Sequence, residues 1–210
     1  MPETVLRIFM AMLLCAVLLG GHACTGIRQA PIDVHYYTLE YDPPQPEENA
    51  PLPYVLRIDR FQASPLYDSN RIVFKVKPFK RDEYVYHKWR AQPGDLASFF
   101  LMRDFEECAL FKAALYEDSV LPCTHIVTGV VEEFYLEVDG KSAEAVLTVV
   151  ITLIDNHEQN SGDAALMQKR YHVRQAVADM EIPSFAGAMS AAMQHLSAAV
   201  IRDVYARLSQ

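Results

Sequence analysis

Positive charge is scarce in this 210-residue chain. Lysine and arginine number 19 against 27 aspartates and glutamates, so the formal net charge is −8. A nucleic-acid-binding surface needs clustered lysine and arginine to neutralise phosphates, and the sequence has no long basic stripe. The composition therefore argues against nucleic acid as a partner. With 51% hydrophobic and 22% charged residues, it is typical of one globular domain.

Recognisable catalytic motifs are also missing. The sequence contains no GxxxxGK[ST] phosphate loop, no G-x-S-x-G nucleophile elbow and no HExxH zinc motif. The pair Cys123 and His125 offers two metal ligands with no second pair nearby, which is a weak signal. The other histidines are scattered one to an element, without ligand spacing: His35, His87, His157, His172 and His195. We therefore predict that the chain is not an enzyme and uses no cofactor or metal.

One pair of adjacent carboxylates, Glu132 and Glu133, needs separate consideration. Acid–base catalysis on one bond would require both groups to face the same point. Neighbouring residues of a regular strand point to opposite faces. We therefore expect this pair to be solvated or to mark a twist in the strand.

Apolar runs long enough to span a membrane are absent, but a shorter run lies at the N-terminus. Arg7 precedes an apolar stretch from Ile8 to Leu19, and small residues follow. This layout predicts a secretory signal peptide, because a membrane-spanning helix needs about 20 apolar residues. The alternative is an N-terminal anchor that stays attached. We place the signal peptide at residues 1–23.

Cleavage after Ala23 would leave Cys24 as the first residue of the mature chain. Bacterial lipoproteins are acylated on a cysteine at this position. Their recognition box has leucine three residues before the cysteine, where this chain has Gly21, and His22 follows it. The residues leave two possibilities open at this point: a lipidated Cys24, or a free or disulfide-bonded thiol in an exported protein.

Cysteine is rare, with only 4 in the chain. Cys15 lies within the signal peptide, so Cys108 and Cys123 form a possible pair in an oxidising compartment. A disulfide between them would stabilise the fold by about 3 kcal/mol in the chain-entropy model. The alternative is two buried thiols.

The first mature residues contain few candidates for a core. Residues 24–53 hold one strand-like piece, His35–Tyr41, followed by the acidic, proline-rich stretch DPPQPEENAPLP. We interpret 24–53 as a tether with one short strand and an extended linker. The folded domain is predicted over residues 54–210.

Alternating patterns predict three strands in the first half of that domain, at Tyr54–Phe61, Arg71–Lys77 and Glu83–Trp89. Pro93 then marks a helix start, with Asp95 in its first turn. The apolar spacing that follows, within residues 95–115, is helical.

The second half has clearer signals. Asp139-Gly140 separates two strand patterns and predicts a hairpin. A more polar strand over Ala165–Val177 suits a sheet edge. A final helix, with Ser184 expected as its N-cap, carries an apolar stripe at three- and four-residue spacing: Phe185, Met189, Met193, Leu196, Val200, Val204 and Leu208. The order predicts an α+β fold with a mainly antiparallel sheet and two packed helices.

Four segments in this order resemble the ABC-type transport auxiliary lipoproteins, which accompany MCE-type lipid transport systems and include the paraquat-inducible lipoprotein. The segments are a signal ending in cysteine and followed by YYTL, then LRIDRFQASPLYDSNRIVFK, then YVYHKWRAQPGDLASFFL, and last the alanine-rich helix. The resemblance spans most of residues 36–208. The chain departs from the family in its lipoprotein box and its inserted acidic proline stretch.

The resemblance implies a non-catalytic lipoprotein acylated on Cys24, at the periplasmic face of a bacterial membrane. Thr25 is not the aspartate associated with inner-membrane retention, so the outer membrane is expected. The implied partners are the MCE-domain subunit and the permease and ATPase subunits of an ABC transporter. Phospholipid and further copies of the same chain are additional partners compatible with this role.

The segment Tyr84–Trp89 is expected to end a strand, and Tyr86 and Trp89 are expected to anchor its junction with the helix at Pro93. His87, Lys88 and Arg90 are then expected on the solvated side. Alternatively, this aromatic and basic rim, Tyr86, His87, Trp89 and Arg90, contacts a lipid headgroup or a partner subunit. The competing hypothesis for the whole chain is a free periplasmic small-ligand-binding protein or a hydrolase of unrecognised type. A retained ligand or an unmodified Cys24 thiol would favour it.

Overall fold

The computed structural model describes residues 33–45, 49–158 and 164–210, together with Glu3, Arg7 and Met10. Val34–Gln210 forms one compact unit, and Met1–Asp33 falls in another. Apart from these three residues, the predicted signal peptide lies outside the described residues, and so does Cys24. The described elements are β1 His35–Tyr37, β2 Leu52–Ile58, β3 Gln62–Ala63, β4 Arg71–Lys75, β5 Asp82–Trp89, α1 Pro93–Glu107, β6 Phe111–Tyr116, β7 His125–Asp139, β8 Ser142–Asp155, β9 Ala165–Ala176 and α2 Ile182–Leu208.

A long hairpin formed by β7 and β8 is the centre of the sheet, as the Asp-Gly signal predicted. Asp139 pairs with Ser142, so the loop consists of Gly140 and Lys141. Gly140 has a φ of +60°, a conformation that glycine adopts without steric cost. Four alternate residues on one face of β8 are fully buried, as the pattern predicted: Leu147, Val149, Ile151 and Leu153.

The rest of the sheet is built on the two long edges of this hairpin. β9 pairs antiparallel with β8 and ends the sheet on that side. On the other side, β2, β3 and β4 pair in succession with β7, all in parallel. β6 extends the sheet beyond β2, and β5 and then β1 extend it beyond β4. Most paired residues belong to the antiparallel ladders, so the predicted mainly antiparallel α+β fold is confirmed.

The two helices pack against the sheet and contact each other. α2 lies on β8 and β9, and α1 lies on β6 and β7. Pro93 occupies the first turn of α1, as predicted. The helix is shorter than its apolar spacing suggested, because the chain reverses at Ala109 with a φ of 53° and continues as β6.

The apolar stripe of α2 faces the core. Six of its seven predicted members are buried, and Leu208 is half-buried at the helix end. The predicted N-cap was wrong. Glu181 occupies that position, and Ser184 lies within the first turn, where its hydroxyl bonds the Asp179 carboxylate and lowers the pKa of that group. The helix begins earlier because Pro183 fits its first turn.

The segment predicted as a tether contributes to the folded body. β1 pairs with β5, and Leu39 is buried in the core. The backbone N–H of Glu40 donates to Ser190 Oγ at 2.9 Å, and the Gln194 amide donates to the carbonyl of Asp42 at 2.8 Å. The compact unit thus begins at Val34, earlier than the predicted domain start at residue 54.

Across the described residues, no helix combines the length and apolarity required to cross a membrane.

Candidate functional site

Trp89 belongs to the core and not to a surface rim. Its side chain is fully buried at the end of β5. The indole lies 5.1 Å from the ring of Phe134 on β7 and 5.6 Å from that of Phe185 on α2. It therefore anchors the junction as predicted, and the alternative in which Trp89 contacts a partner or lipid is corrected. Its Nε1 has no hydrogen-bond partner within the described residues, so its contribution comes from apolar packing.

His87 also has a structural environment. Its Nδ1 lies 3.0 Å from the hydroxyl of Tyr37, and its ring stacks on His35 at 5.3 Å. The ring of Tyr84 meets it edge-on at 5.8 Å. His87 is half-buried among these rings, so the prediction that it lies on the solvated side is corrected.

Of the predicted rim, Tyr86 and Arg90 remain as exposed side chains, and Tyr36 of β1 lies next to Arg90. Tyr36 and Tyr86 are each 50% exposed, so the predicted anchoring role of Tyr86 is wrong. Arg90 is exposed, and its guanidinium lies 5.6 Å from the centre of the Tyr36 ring. Tyr36 pairs with Lys88, the neighbour of Trp89, and so lies on the opposite sheet face from Trp89. We refer to Tyr36, Tyr86 and Arg90 as the tyrosine–arginine patch.

A buried polar network joins α1 to the segment around Tyr41. The sequence analysis did not predict it. The Asp104 carboxylate is fully buried; it accepts hydrogen bonds from the Tyr41 hydroxyl at 2.7 Å and from Arg103 at 2.7 and 3.0 Å. Arg103 also donates to the backbone carbonyl of Tyr41 at 3.1 Å. Burial, with the Asp104 charge, holds the pKa of Tyr41 far above its usual range. Both oxygens of the Asp104 carboxylate accept hydrogen bonds, so this carboxylate is not free to act as a catalytic base. The network instead holds the segment around Tyr41 against α1.

Residue types alone do not predict this network. An adjacent Arg-Asp pair in a helix is usually solvated, and its burial depends on Tyr41, which is distant along the chain.

A groove of about 390 Å³ lies between the end of α2 and the N-terminal segment. Leu110, Ile201 and Tyr205 give it an apolar lining, and Cys108 is also among the residues that line it. Arg202 is the one charged residue among the described residues that line it. The groove can therefore hold a ligand that carries a small apolar group next to an anionic group.

The two adjacent glutamates mark an irregularity with increased twist, as expected, although they do not lie on opposite faces of a regular strand. β7 has a bulge between Val131 and Glu133, which places Glu132 out of register. Arg170 consequently contacts both carboxylates, at 2.6 Å from Glu132 and 3.9 Å from Glu133. Glu133 also accepts from the Thr148 hydroxyl. The bulge thus forms a surface ion-pair cluster, in which Arg170 offsets the carboxylate charges.

Cys108 and Cys123 are free, buried thiols in this structure, so the possible disulfide is not formed and the alternative of two buried thiols holds. Cys108 ends α1 before β6, and Cys123 precedes β7. Because β2 lies between β6 and β7, the strands that follow the two cysteines are about 9–10 Å apart, beyond the usual Cα separation of a disulfide. Burial raises the pKa of the Cys108 thiol.

In the ranges that the structure describes, no group of three or more His, Cys, Asp or Glu side chains is arranged to hold a metal ion.

Comparisons with known proteins give a fold likeness. No family model matches the sequence, and no curated protein matches it. Among solved structures, a Xanthomonas campestris protein assigned to the family model DUF330 superposes with a TM-score of 0.76 at 15% sequence identity. The alignment covers 84% of this chain and 98% of that protein. An uncharacterized protein superposes with a TM-score of 0.64 at 11% identity, over 82% of this chain and 99% of the other. At these identities the likeness establishes the fold alone.

Proposed function

We propose that this chain is a non-catalytic lipoprotein of the bacterial envelope that serves as the auxiliary component of an ABC/MCE-type lipid transport system. It is tethered through acylated Cys24 to the periplasmic face of the outer membrane. Its partners are the MCE-domain subunit and the permease and ATPase subunits. ATP hydrolysis belongs to the ATPase subunit.

The observation that carries this proposal is the position of the family-like segments in the fold. YYTL supplies the last two residues of β1 and the buried Leu39. LRIDRFQASPLYDSNRIVFK runs from the end of β2 through β4. The Trp89–Pro93 segment forms the junction between β5 and α1. The segments that carry the resemblance thus build one sheet-and-helix body. The signal-like N-terminus and Cys24 supply the tether.

The tyrosine–arginine patch is the surface that we assign to a partner subunit. Tyrosine and arginine are enriched at the centres of protein interfaces, where their large side chains lose water on binding. The stacking of Arg90 on Tyr36 holds both side chains in place before contact. Such pre-ordering lowers the entropy lost on association.

Co-purification from host membranes tests the proposal. The unaltered chain, extracted in mild detergent, should retain the MCE-domain, permease and ATPase subunits. The double variant Tyr36→Ala, Arg90→Glu should retain less of all three, because the patch loses both its aromatic surface and its charge. Tyr116→Ala, which alters a comparably exposed tyrosine on β6, serves as the matched control and should retain them. Transport subunits that never co-purify with the unaltered chain would refute the proposal.

The groove beside α2 favours one second candidate, a free periplasmic small-ligand-binding protein. Its apolar lining and Arg202 suit a small amphipathic anion. Native mass spectrometry of protein purified from the periplasm would detect a retained ligand. Under this alternative, Arg202→Ala abolishes retention and Cys24 carries no lipid.

A further inference from the structure

The turn between β4 and β5 presents an aromatic side chain directly to solvent. Residues 76–80 are all exposed, and we call this segment the β4–β5 tip. Phe79 has a relative exposure of 105%, and Val76 one of 54%. Phe79 has a φ of 62°, which is uncommon for a residue other than glycine. The Lys80 N–H donates to the Lys77 carbonyl at 3.3 Å and closes the turn, so Phe79 lies at its crest.

The same segment concentrates positive charge in an acidic protein. Residues 71–81 contain five of the 19 cationic residues and no acidic residue. Three of the five have carboxylate partners in the pairs Arg71–Glu83, Lys75–Glu137 and Lys80–Asp82. Arg81 lies 4.6 Å from the centre of the Tyr135 ring, and Lys77 makes no ion pair with any residue that the structure describes. The tip therefore carries a local excess of positive charge beside its exposed apolar groups.

This combination fits a lipid surface better than a protein surface. Protein interfaces are depleted in lysine, and their aromatic anchors fill well-packed pockets. Here the aromatic residue protrudes from a convex turn, with Lys77 and Lys80 beside it. Amphipathic helices that lie in the membrane interface combine phenylalanine or leucine with lysine and arginine, which meet the acyl boundary and the anionic headgroups respectively. The tip presents the same side-chain types on a turn.

We propose that the β4–β5 tip inserts Phe79 and Val76 into the interface of an anionic phospholipid bilayer. Lys77 and Lys80 then lie at the headgroup phosphates, and the Lys80–Asp82 pair is exposed enough to open for this contact, at 65% and 39%. The contact is separate from any lipid on Cys24. It would give the domain a second point of attachment to a membrane and so orient it against the bilayer.

Tryptophan fluorescence tests the proposal directly. The protein purified from its host, carrying Phe79→Trp, is reconstituted with or added to vesicles of phosphatidylcholine alone or of phosphatidylcholine mixed with phosphatidylglycerol. Trp89 is fully buried and gives a constant background, measured on the unaltered chain. In the anionic vesicles, the emission of the new indole should shift to shorter wavelength and be quenched by brominated lipid. The response in phosphatidylcholine alone should be smaller. Adding Lys77→Glu and Lys80→Glu should abolish both signals.

Phe99→Trp is the matched control. Phe99 is 51% exposed on α1, and its ring lies 6.4 Å from that of Tyr116 on β6, at the other end of the sheet from β5. Its emission should not change with anionic lipid. An equal response at both positions, or no response at position 79, would overturn the proposal. A photo-crosslinker at position 79 that captures an envelope protein, without any vesicle signal, would replace the bilayer by a protein partner and equally overturn it.

The vesicle experiment does not depend on the proposed tether. If Cys24 carries no lipid, the protein is added to vesicles from solution, and the fluorescence still reports insertion of the tip.

Discussion

At the scale of single residues, Trp89 and Tyr86 have opposite roles although they are three positions apart. Trp89→Ala should lower the free energy of unfolding by about 3–5 kcal/mol, because it leaves a cavity between β7 and α2. Tyr86→Ala removes a half-exposed side chain and should change stability by no more than about 0.5 kcal/mol. Urea denaturation of the two variants measures the difference. Equal losses would contradict the assignment of Trp89 to the core and Tyr86 to the surface.

The sequence predicted these two residues as one aromatic anchor. Alternation places residues three apart on opposite faces of a regular strand, so it separates Tyr86 from Trp89. The prediction followed their shared aromatic character, which does not say which face each residue occupies. For Glu132 the reason is different, because the bulge between Val131 and Glu133 cannot be deduced from residue types.

At the scale of elements, the start of α1 depends on one glycine. A Cβ on Gly94 would lie 2.4 Å from the backbone carbonyl oxygen of Phe61, so Gly94→Ala must displace the helix or the chain after β2. We expect a loss of about 1–3 kcal/mol in unfolding free energy. Gly187→Ala on α2 is the matched control, since a Cβ there has no neighbour within 4 Å. It should gain up to about 1 kcal/mol, because alanine favours the helix. A thermal unfolding midpoint that shifts in the same direction for both variants would refute this packing of Gly94.

Four neighbouring strands are joined by ion pairs centred on Glu137. Its carboxylate on β7 pairs with Lys75 on β4 and with Arg174 on β9, and Arg174 also pairs with Glu144 on β8. Lys75, against the opposing effect of burial, and Arg174 lower the pKa of Glu137 below its ordinary value of 4.5. A carboxyl group with a lowered folded-state pKa stabilises the fold above its unfolded pKa, and this stabilisation is lost as the pH falls through the folded pKa.

Glu137→Gln should therefore be less stable than the unaltered chain at neutral pH, and the difference should shrink as the pH falls below the ordinary carboxyl value of 4.5. Denaturant unfolding across this range measures it. Glu132→Gln, which removes a more exposed carboxylate paired with Arg170, is the control and should show a smaller dependence. A difference between the unaltered chain and Glu137→Gln that does not vary with pH would contradict the network.

The elements that could be predicted are those whose pattern is complete within their own residues. The β7–β8 hairpin, β9 and the stripe of α2 have long periodic signals and a strong turn. β3 and β6 were not predicted, because each is defined by pairing with a strand distant along the chain. β6 in addition follows helical spacing without a break, and only the reversal at Ala109 separates it from α1.

At the scale of the whole molecule, the fold is a sheet-and-helix body whose proposed contacts lie on its surface. The tyrosine–arginine patch and the β4–β5 tip are formed largely by the β1, β4 and β5 side of the sheet. Neither contact could be predicted fully from the sequence: the patch required the pairing of β1 with β5, and the tip required the exposure of Phe79. The proposed role as a tethered auxiliary protein requires contact surfaces of this kind, and the patch and the tip are our candidates for them.

The proposed lipid on Cys24 can be detected in the mass of the N-terminal peptide of protein purified from its host's membranes. A tethered protein should give a mature chain that begins at Cys24 and carries the added mass of a diacylglyceryl group and an acyl chain. An unmodified Cys24 thiol, in protein recovered from the soluble periplasm, would contradict the tether and favour the ligand-binding alternative.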